Sequence, residues 1–268
     1  MTATTLRKGD NSQDVLELKR ALAKMSEPTM ADDFFHPLFD AATEQAVMDY
    51  QRRVGLAVDG IVGIKTQQVL QTGSKPEALL GHQDIERAAI SLNIPLACMR
   101  AVNEVESRGE GFFGTDQAAI QFERHIFYAR LKRQGVDVKR LKSQHPDIVN
   151  DEQGGYECGL DEWTRLNRAM QINRPAAIES TSWGMFQVMG FHWKELKYAN
   201  ADDFMTRMNR SEGMQLDALV RFLKANPAMV RALQIINFTD FARLYNGLSY
   251  AKNQYDLKIA KAFAKYNK

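Results

Sequence analysis

Apolar residues recur three and four positions apart along most of this 268-residue chain, the spacing that gathers them on one face of an α-helix. After the start signal Gly9-Asp10-Asn11-Ser12, the positions Val15, Leu18 and Leu22, with neighbouring Leu16, predict a first helix. A second opens near Asp40, carries Ala46, Val47 and Tyr50, and stops at Gly55. An Asp59-Gly60 turn with apolar flanks leads to a short third helix from Thr66 to Leu70. Gly73, Ser74, Pro76 and Gly81 then punctuate the chain as a linker does, so a module over residues 1–72 is followed by a linker over 73–83 and a larger domain over 84–268. In that domain the pattern predicts helices over 84–92, from Pro95 to Ser107, around 123–134, over 161–182 and over 201–265. A Gly- and aromatic-rich elbow between Ser182 and Trp193 interrupts them. Alternation with a period of two is scarce, so the fold class is mainly α.

Composition narrows this picture. A hydrophobic share of 44% with 25% charged residues belongs to a folded soluble protein. The 35 basic and 33 acidic side chains leave a formal charge of +2, which gives no electrostatic case for binding nucleic acid. Cys98 and Cys158 make no disulfide framework, and both are expected as buried thiols. The five histidines (His36, His82, His125, His145, His192) are scattered, without His-Glu-x-x-His or Cys-x-x-Cys, so neither a metal nor another cofactor is expected. The N-terminal residues lack the apolar core of a secretory signal, and no run of 18 apolar residues exists to span a bilayer. The expectation is a monomer without membrane insertion, held in a cytoplasm until something releases it.

One carboxylate is out of place. On the helix from Pro95 to Ser107, Met99, Val102 and Val105 share a broad apolar face. Glu106 lies seven positions after Met99 and four after Val102, so it joins that face, whereas Glu104 points nearly opposite and should be solvated. Desolvation raises a carboxyl pKa, and a glycosidase needs such a group to protonate the leaving oxygen of the scissile bond. The structural alternative is a helix-end carboxylate paired with Arg108 or Arg124.

Two later strings suggest a substrate. In Ser182-Trp183-Gly184-Met185-Phe186-Gln187, Gly184 lets backbone come close to a sugar, Trp183 and Phe186 are candidates to stack on pyranose rings, and Ser182 and Gln187 to bond hydroxyl or acetamido groups. The same residues would serve as a packed buried elbow. Tyr245-Asn246-Gly247 reads as an ordinary helix stop, and in a cleft Tyr245 and Asn246 would become substrate contacts.

The first 70 or so residues resemble the three-helix peptidoglycan-binding module of wall hydrolases. The likeness rests on Gly9, Val15, Leu18, Leu22, Thr43, Ala46, Val47, Tyr50-Gln51, Gly55-Leu56, Val58-Asp59-Gly60, Gly63, Thr66 and Leu70. Tyr50 replaces the family's usual Phe, and Asp59 is the candidate wall contact. Downstream, Glu106-Ser107 at a helix end, the Gly184-x-x-Gln187 elbow and the Tyr245-Asn246 pair occur in the order of the goose-type lysozyme and soluble lytic transglycosylase superfamily. The closer resemblance is to the N-acetylmuramidase domain of modular phage endolysins, through Val105 to Gly109, Phe122 to Tyr128, Ser182 to Gly190 and Asn246 to Asp256.

That resemblance implies an enlarged lysozyme-like domain that cuts the β-1,4 bond between N-acetylmuramic acid and N-acetylglucosamine. It makes Glu106 the general acid, Glu123 a second carboxylate worth testing, and peptidoglycan the partner. It also implies retention in the host cytoplasm until a holin opens the way to the wall. A lytic transglycosylase, which cuts the same bond without consuming water, and a non-catalytic wall-binding or phage structural protein are the competing readings.

Overall fold

The computed structural model describes residues 4–25, 34–107, 110–114, 116–247 and 250–267. The chain divides into two compact units, Met1–Arg87 and Ala88–Lys268.

The first unit holds three helices, α1 (Gln13–Lys24), α2 (Ala41–Val54) and α3 (Ile64–Thr72). Their starts follow from side chains that satisfy the first free amides: Ser12 Oγ accepts from Val15 N, and Asp40 Oδ1 from Thr43 N. Gly55 ends α2 with φ +82, a left-handed conformation that costs glycine nothing. Val15, Leu18, Leu22, Phe39, Val47, Tyr50, Leu56, Val62 and Val69 form the core. The segment read as a linker packs here too, with Leu79 against this core and Gly81 bridged to Leu56.

A side-chain amide locks the turn between α2 and α3. Gln51 Oε1 accepts from the Asp59 and Gly60 amides at 3.0 and 2.9 Å. Its Nε2 donates to Asp59 Oδ1, Ile61 O and Thr66 Oγ1. Asp59 Oδ1 also accepts from Ile61 N at 2.8 Å, so the carboxylate expected to touch the wall serves the turn itself.

The second unit begins within α4 (His82–Leu92) and continues through α5 (Leu96–Glu106), for which Pro95 is the N-cap. A hairpin of β1 (Phe112–Phe113) and β2 (Gln117–Ala118) follows, then β3 (Ile120–Phe122), α6 (Arg124–Arg133) and α7 (Val138–Gln144). After α8 (Leu160–Glu179) come β4 (Thr181–Trp183) and β5 (Val188–Met189). Six helices complete the unit: α9 (Ala201–Met208), α10 (Glu212–Ala225), α11 (Pro227–Gln234), α12 (Phe238–Asn246), α13 (Tyr250–Asn253) and α14 (Tyr255–Tyr266). Strands β3, β4 and β5 form one antiparallel sheet in which Ser182 pairs with Gln121 and with Met189. Helix α14 packs along α5 and against α12.

The structure differs from the sequence reading at several points. Helix α7 is short and Lys-rich and shows little apolar period, which hid it. The helix expected over 161–182 is broken at Asn173 (φ −158°, ψ 98°), two residues before Pro175, and gives way to β4 at Thr181. Cys98 is buried as expected, but Cys158 is exposed ahead of α8. Glu104 is exposed as expected and also pairs with Lys265 of α14 at 3.1 Å.

Replacing Gln51 by Leu leaves two amides of the Asp59 turn without acceptors, at a cost of roughly 2–4 kcal/mol to the first unit. Amide hydrogen exchange at Asp59 and Gly60 should accelerate in Gln51→Leu, and unchanged exchange would mean that the network does not hold the turn.

Candidate active site

Helix α5 delivers Glu106 as its last residue, because Ser107 already has extended backbone (φ −75°, ψ 133°). The preceding turns bury Cys98, Met99, Ala101 and Val102, which places the helix end against the core. Asn246 and Tyr245 at the end of α12 and Lys258 on α14 complete its surroundings. Burial pushes the Glu106 carboxyl up to about 7, outweighing the Asn246 amide and the Lys258 ammonium, which favour the charged form. Among the described residues neither Glu106 Oε1 nor Asn246 Nδ2 has a well-formed hydrogen bond, although both are shut off from solvent. The amide thus lies near the carboxyl without aligning on it, and both atoms keep bonding capacity for a ligand. Tyr245 stacks on Phe241 at 5.5 Å and meets Phe222 edge-on. Its hydroxyl is held above the usual range by burial, then by Glu106 and Tyr255.

Ser182 and Gln187 lie on the elbow between β4 and β5. Ser182 Oγ donates to Gln187 Oε1 at 2.7 Å, and Gln187 Nε2 donates to Gly184 O at 2.8 Å. These bonds hold Gln187 at φ +50°, where a side chain rarely sits. A cleft of about 510 Å³ opens beside it, lined by Gly184 and Gln187, by Gln121 and Ile120 of β3, by Glu110 and Phe113, and by Tyr156, Glu157 and Glu162. Burial raises the Glu162 carboxyl above its ordinary value, against a hydrogen bond from Glu157 N and the Arg165 guanidinium at 2.7 Å.

The elbow is fastened to α10 by Gln215. This buried amide donates to Gly111 O and Met208 O and accepts from Met185 N, each at 2.9 Å. Glu212 Oε1, one turn earlier, accepts from Gly111 N at 3.0 Å. A Cβ at Gly184 would lie 2.5 Å from Gln215 Cδ, and at Gly111 2.5 Å from Gln215 Oε1, so both positions exclude a side chain.

Two expected sugar contacts are corrected by this packing. Trp183 has no exposed surface; its Nε1 donates to Ile178 O and its ring meets Trp163 and Phe204 edge-on. Phe186 is 5% exposed. Neither presents a face to a sugar, because β4 is buried over all three of its residues and Phe186 packs inward on the adjoining elbow.

Glu123 caps the start of α6 and is 8% exposed. It does not pair with Arg124, which instead donates to the carbonyls of Glu152, Pro146 and Gln153. Its oxygens accept from Gln121 Nε2 and the Tyr156 hydroxyl, each at 2.9 Å, and His125 Nδ1 lies 3.3 Å away.

The candidates therefore fall into two groups. Glu106, Tyr245 and Asn246 meet where α5, α12 and α14 end or begin. Gly184 and Gln187 line the cleft, with Ser182 buried behind and bonded to Gln187 and Glu123 bonded to Gln121 and Tyr156 of its wall. In sequence the two groups are close, since Glu110 and Phe113 of the cleft come four and seven positions after Glu106. Arg108 and Gly109 of the Glu106 motif lie outside the described residues. Sequence reasoning missed Gln121, Tyr156, Glu212, Gln215 and Lys258. For Tyr156 a signal existed in Gly154-Gly155-Tyr156, an aromatic directly after two turn residues.

A helical unit with a small sheet and a desolvated carboxyl at a helix end defines the lysozyme-like class of wall-degrading proteins. A family model described as N-acetylmuramidase matches residues 95–267, and the chain belongs to that family. A model of the peptidoglycan binding domain matches residues 11–70. Both family resemblances read from the sequence are thereby borne out. Among solved structures, the crystal structure of Burkholderia AP3 phage endolysin is similar with a TM-score of 0.92 and 42% identity, covering 98% of this chain and 99% of that one. Comparison with curated proteins gives no match.

Gly184→Ala, which adds a Cβ against Gln215 at φ +71°, should lower wall-degrading activity at least about ten-fold while far-ultraviolet circular dichroism stays near wild type. Wild-type activity in this variant would show that the elbow tolerates displacement.

Proposed function

We propose that this chain is an endolysin muramidase that hydrolyses the β-1,4 bond between N-acetylmuramic acid and N-acetylglucosamine during host lysis. In this reading residues 1–72 hold the wall, 73–83 connect, and 84–268 cut. No cofactor takes part, and the protein waits in the host cytoplasm until a holin lets it reach the peptidoglycan. The observation that carries the reading is Glu106: a carboxyl that burial raises to about 7, so that about half of it holds a proton at neutral pH, at the end of a helix packed into the core.

Chemically, the Glu106 carboxyl gives its proton to the glycosidic oxygen as the C–O bond breaks, and positive charge develops at the muramic ring carbon and ring oxygen. The resulting carboxylate, beside the Lys258 ammonium and the unpaired Asn246 amide, then takes a proton from the attacking water. Asn246 Nδ2 offers a donor for an acetamido or ring oxygen, and Tyr245 supports it through the stack on Phe241. Ser182 and Gln187, bonded to each other, set the wall along which the glycan lies.

Because the proton donor must be protonated, activity should fall as pH rises through about 7. Glu106→Gln should lose roughly 10²–10⁴-fold in clearing permeabilised cells. Undiminished clearing would remove Glu106 from catalysis. Mass spectrometry of digested peptidoglycan should show reducing N-acetylmuramic ends, whereas 1,6-anhydromuramic ends would assign the protein to the transglycosylases.

A further inference from the structure

The cleft carries an aromatic side chain that the chemistry above leaves unused. Tyr156 is 40% exposed and lines the cleft together with Gly184 and Gln187. Its hydroxyl is bonded from two sides, donating to Glu123 Oε2 at 2.9 Å and accepting from Gln153 Nε2 at 3.1 Å. A phenol has one hydrogen to donate, and here a buried carboxylate holds it, the stronger kind of hydrogen bond. What Tyr156 still presents to the cleft is its ring.

The supports behind that ring are specific. Glu123 and Arg124, adjacent at the start of α6, grip the same loop in different ways. Arg124 Nε donates to Glu152 O at 2.9 Å, and its guanidinium reaches Pro146 O and Gln153 O. Gly155, at φ +71°, passes so near that a Cβ there would lie 2.7 Å from Arg124 Nη1. Glu123 holds the tip through the tyrosine hydroxyl and is itself fixed by Gln121 Nε2 and by its own amide on Ser180 O, at 2.9 Å each. With both oxygens occupied and only 8% of its surface exposed, Glu123 is built to hold a neighbour and not to meet a substrate.

We propose that Tyr156 is a saccharide-stacking platform of the cleft, taking the apolar C–H face of an N-acetylated hexopyranose of the wall glycan, and that Glu123 is its positioning residue. A rigid ring loses little freedom when it binds, which is why aromatic anchors dominate recognition sites. The inference rests on the muramidase reading and gives that site a subsite. It also assigns the second carboxylate to placing an aromatic ring, leaving Glu106 alone at the bond.

The test is steady-state kinetics of the full chain on soluble, uncrosslinked peptidoglycan strands. Tyr156→Ala should raise KM on the order of ten-fold, with kcat within about two-fold of wild type. Tyr156→Phe keeps the ring without its tether and should raise KM only about two- to three-fold. Glu123→Gln should raise KM no more than Tyr156→Phe does and add nothing to it in the double variant, because Tyr156→Phe already removes the hydroxyl that Glu123 holds; its pH profile of kcat should keep the wild-type limbs. Gly155→Ala, which pushes the loop off Arg124, should raise KM as Tyr156→Ala does. An unchanged KM in Tyr156→Ala overturns the platform. A drop in kcat or a lost pH limb in Glu123→Gln at constant KM makes Glu123 catalytic and overturns its positioning role. Failure of the wild-type chain to cleave the strands sinks the muramidase reading itself, whereas wild-type cleavage with an unmoved Tyr156→Ala KM sinks the platform only.

Discussion

One buried amide ties together the backbone on the Gly184 side of the cleft. Gln215 of α10 joins Gly111, Met185 and Met208, so the segment after Glu106, the β4–β5 elbow and the end of α9 meet at a single side chain. The approach leaves no space for a Cβ at Gly111 or Gly184. In a dry interior each of these hydrogen bonds is strong and each would be expensive to leave unmade. A small sheet of short strands gains rigidity this way that its own ladder could not supply.

Two carboxyls of the same type are suited to opposite duties by their surroundings. Glu106 ends a helix packed into the core, has one oxygen without a partner, and is raised to about 7 by burial. Glu123 is also buried, yet both its oxygens accept from donors that fix it in place. Desolvation with a free oxygen suits proton transfer, whereas saturation of both oxygens suits positioning. Helices α12 and α14 matter because Asn246, Tyr245 and Lys258 come from them, so the last 30 or so residues complete the Glu106 site and do more than pack against it.

The legible parts of the chain were those set by local rules. Caps at Ser12 and Asp40, the left-handed stop at Gly55, the apolar face that selects Glu106 and the helix end at Asn246-Gly247 all depend on residues within a few positions of one another. Trp183 was misjudged because an aromatic next to a glycine fits a sugar platform and a core equally well, and only the pairing of β3 with β4 decides which way it turns. The roles of Tyr156 and Gln215 were hidden because their partners are distant in sequence: Tyr156 meets Glu123 across 33 residues and Gln215 meets Gly111 across 104. Glu123 and Arg124, neighbours of opposite charge, turn to the same loop and not to each other, which their adjacency in sequence does not reveal.

The central claim is that burial raises the Glu106 carboxyl to about 7, where about half of it holds a proton at neutral pH. Direct titration of Glu106 tests it, using carbon-13 NMR of side-chain carboxyls with Glu106→Gln to assign the resonance. The account predicts a midpoint at about 7, separated from the exposed glutamates. A midpoint at the ordinary glutamate value, about 4.3, would contradict it.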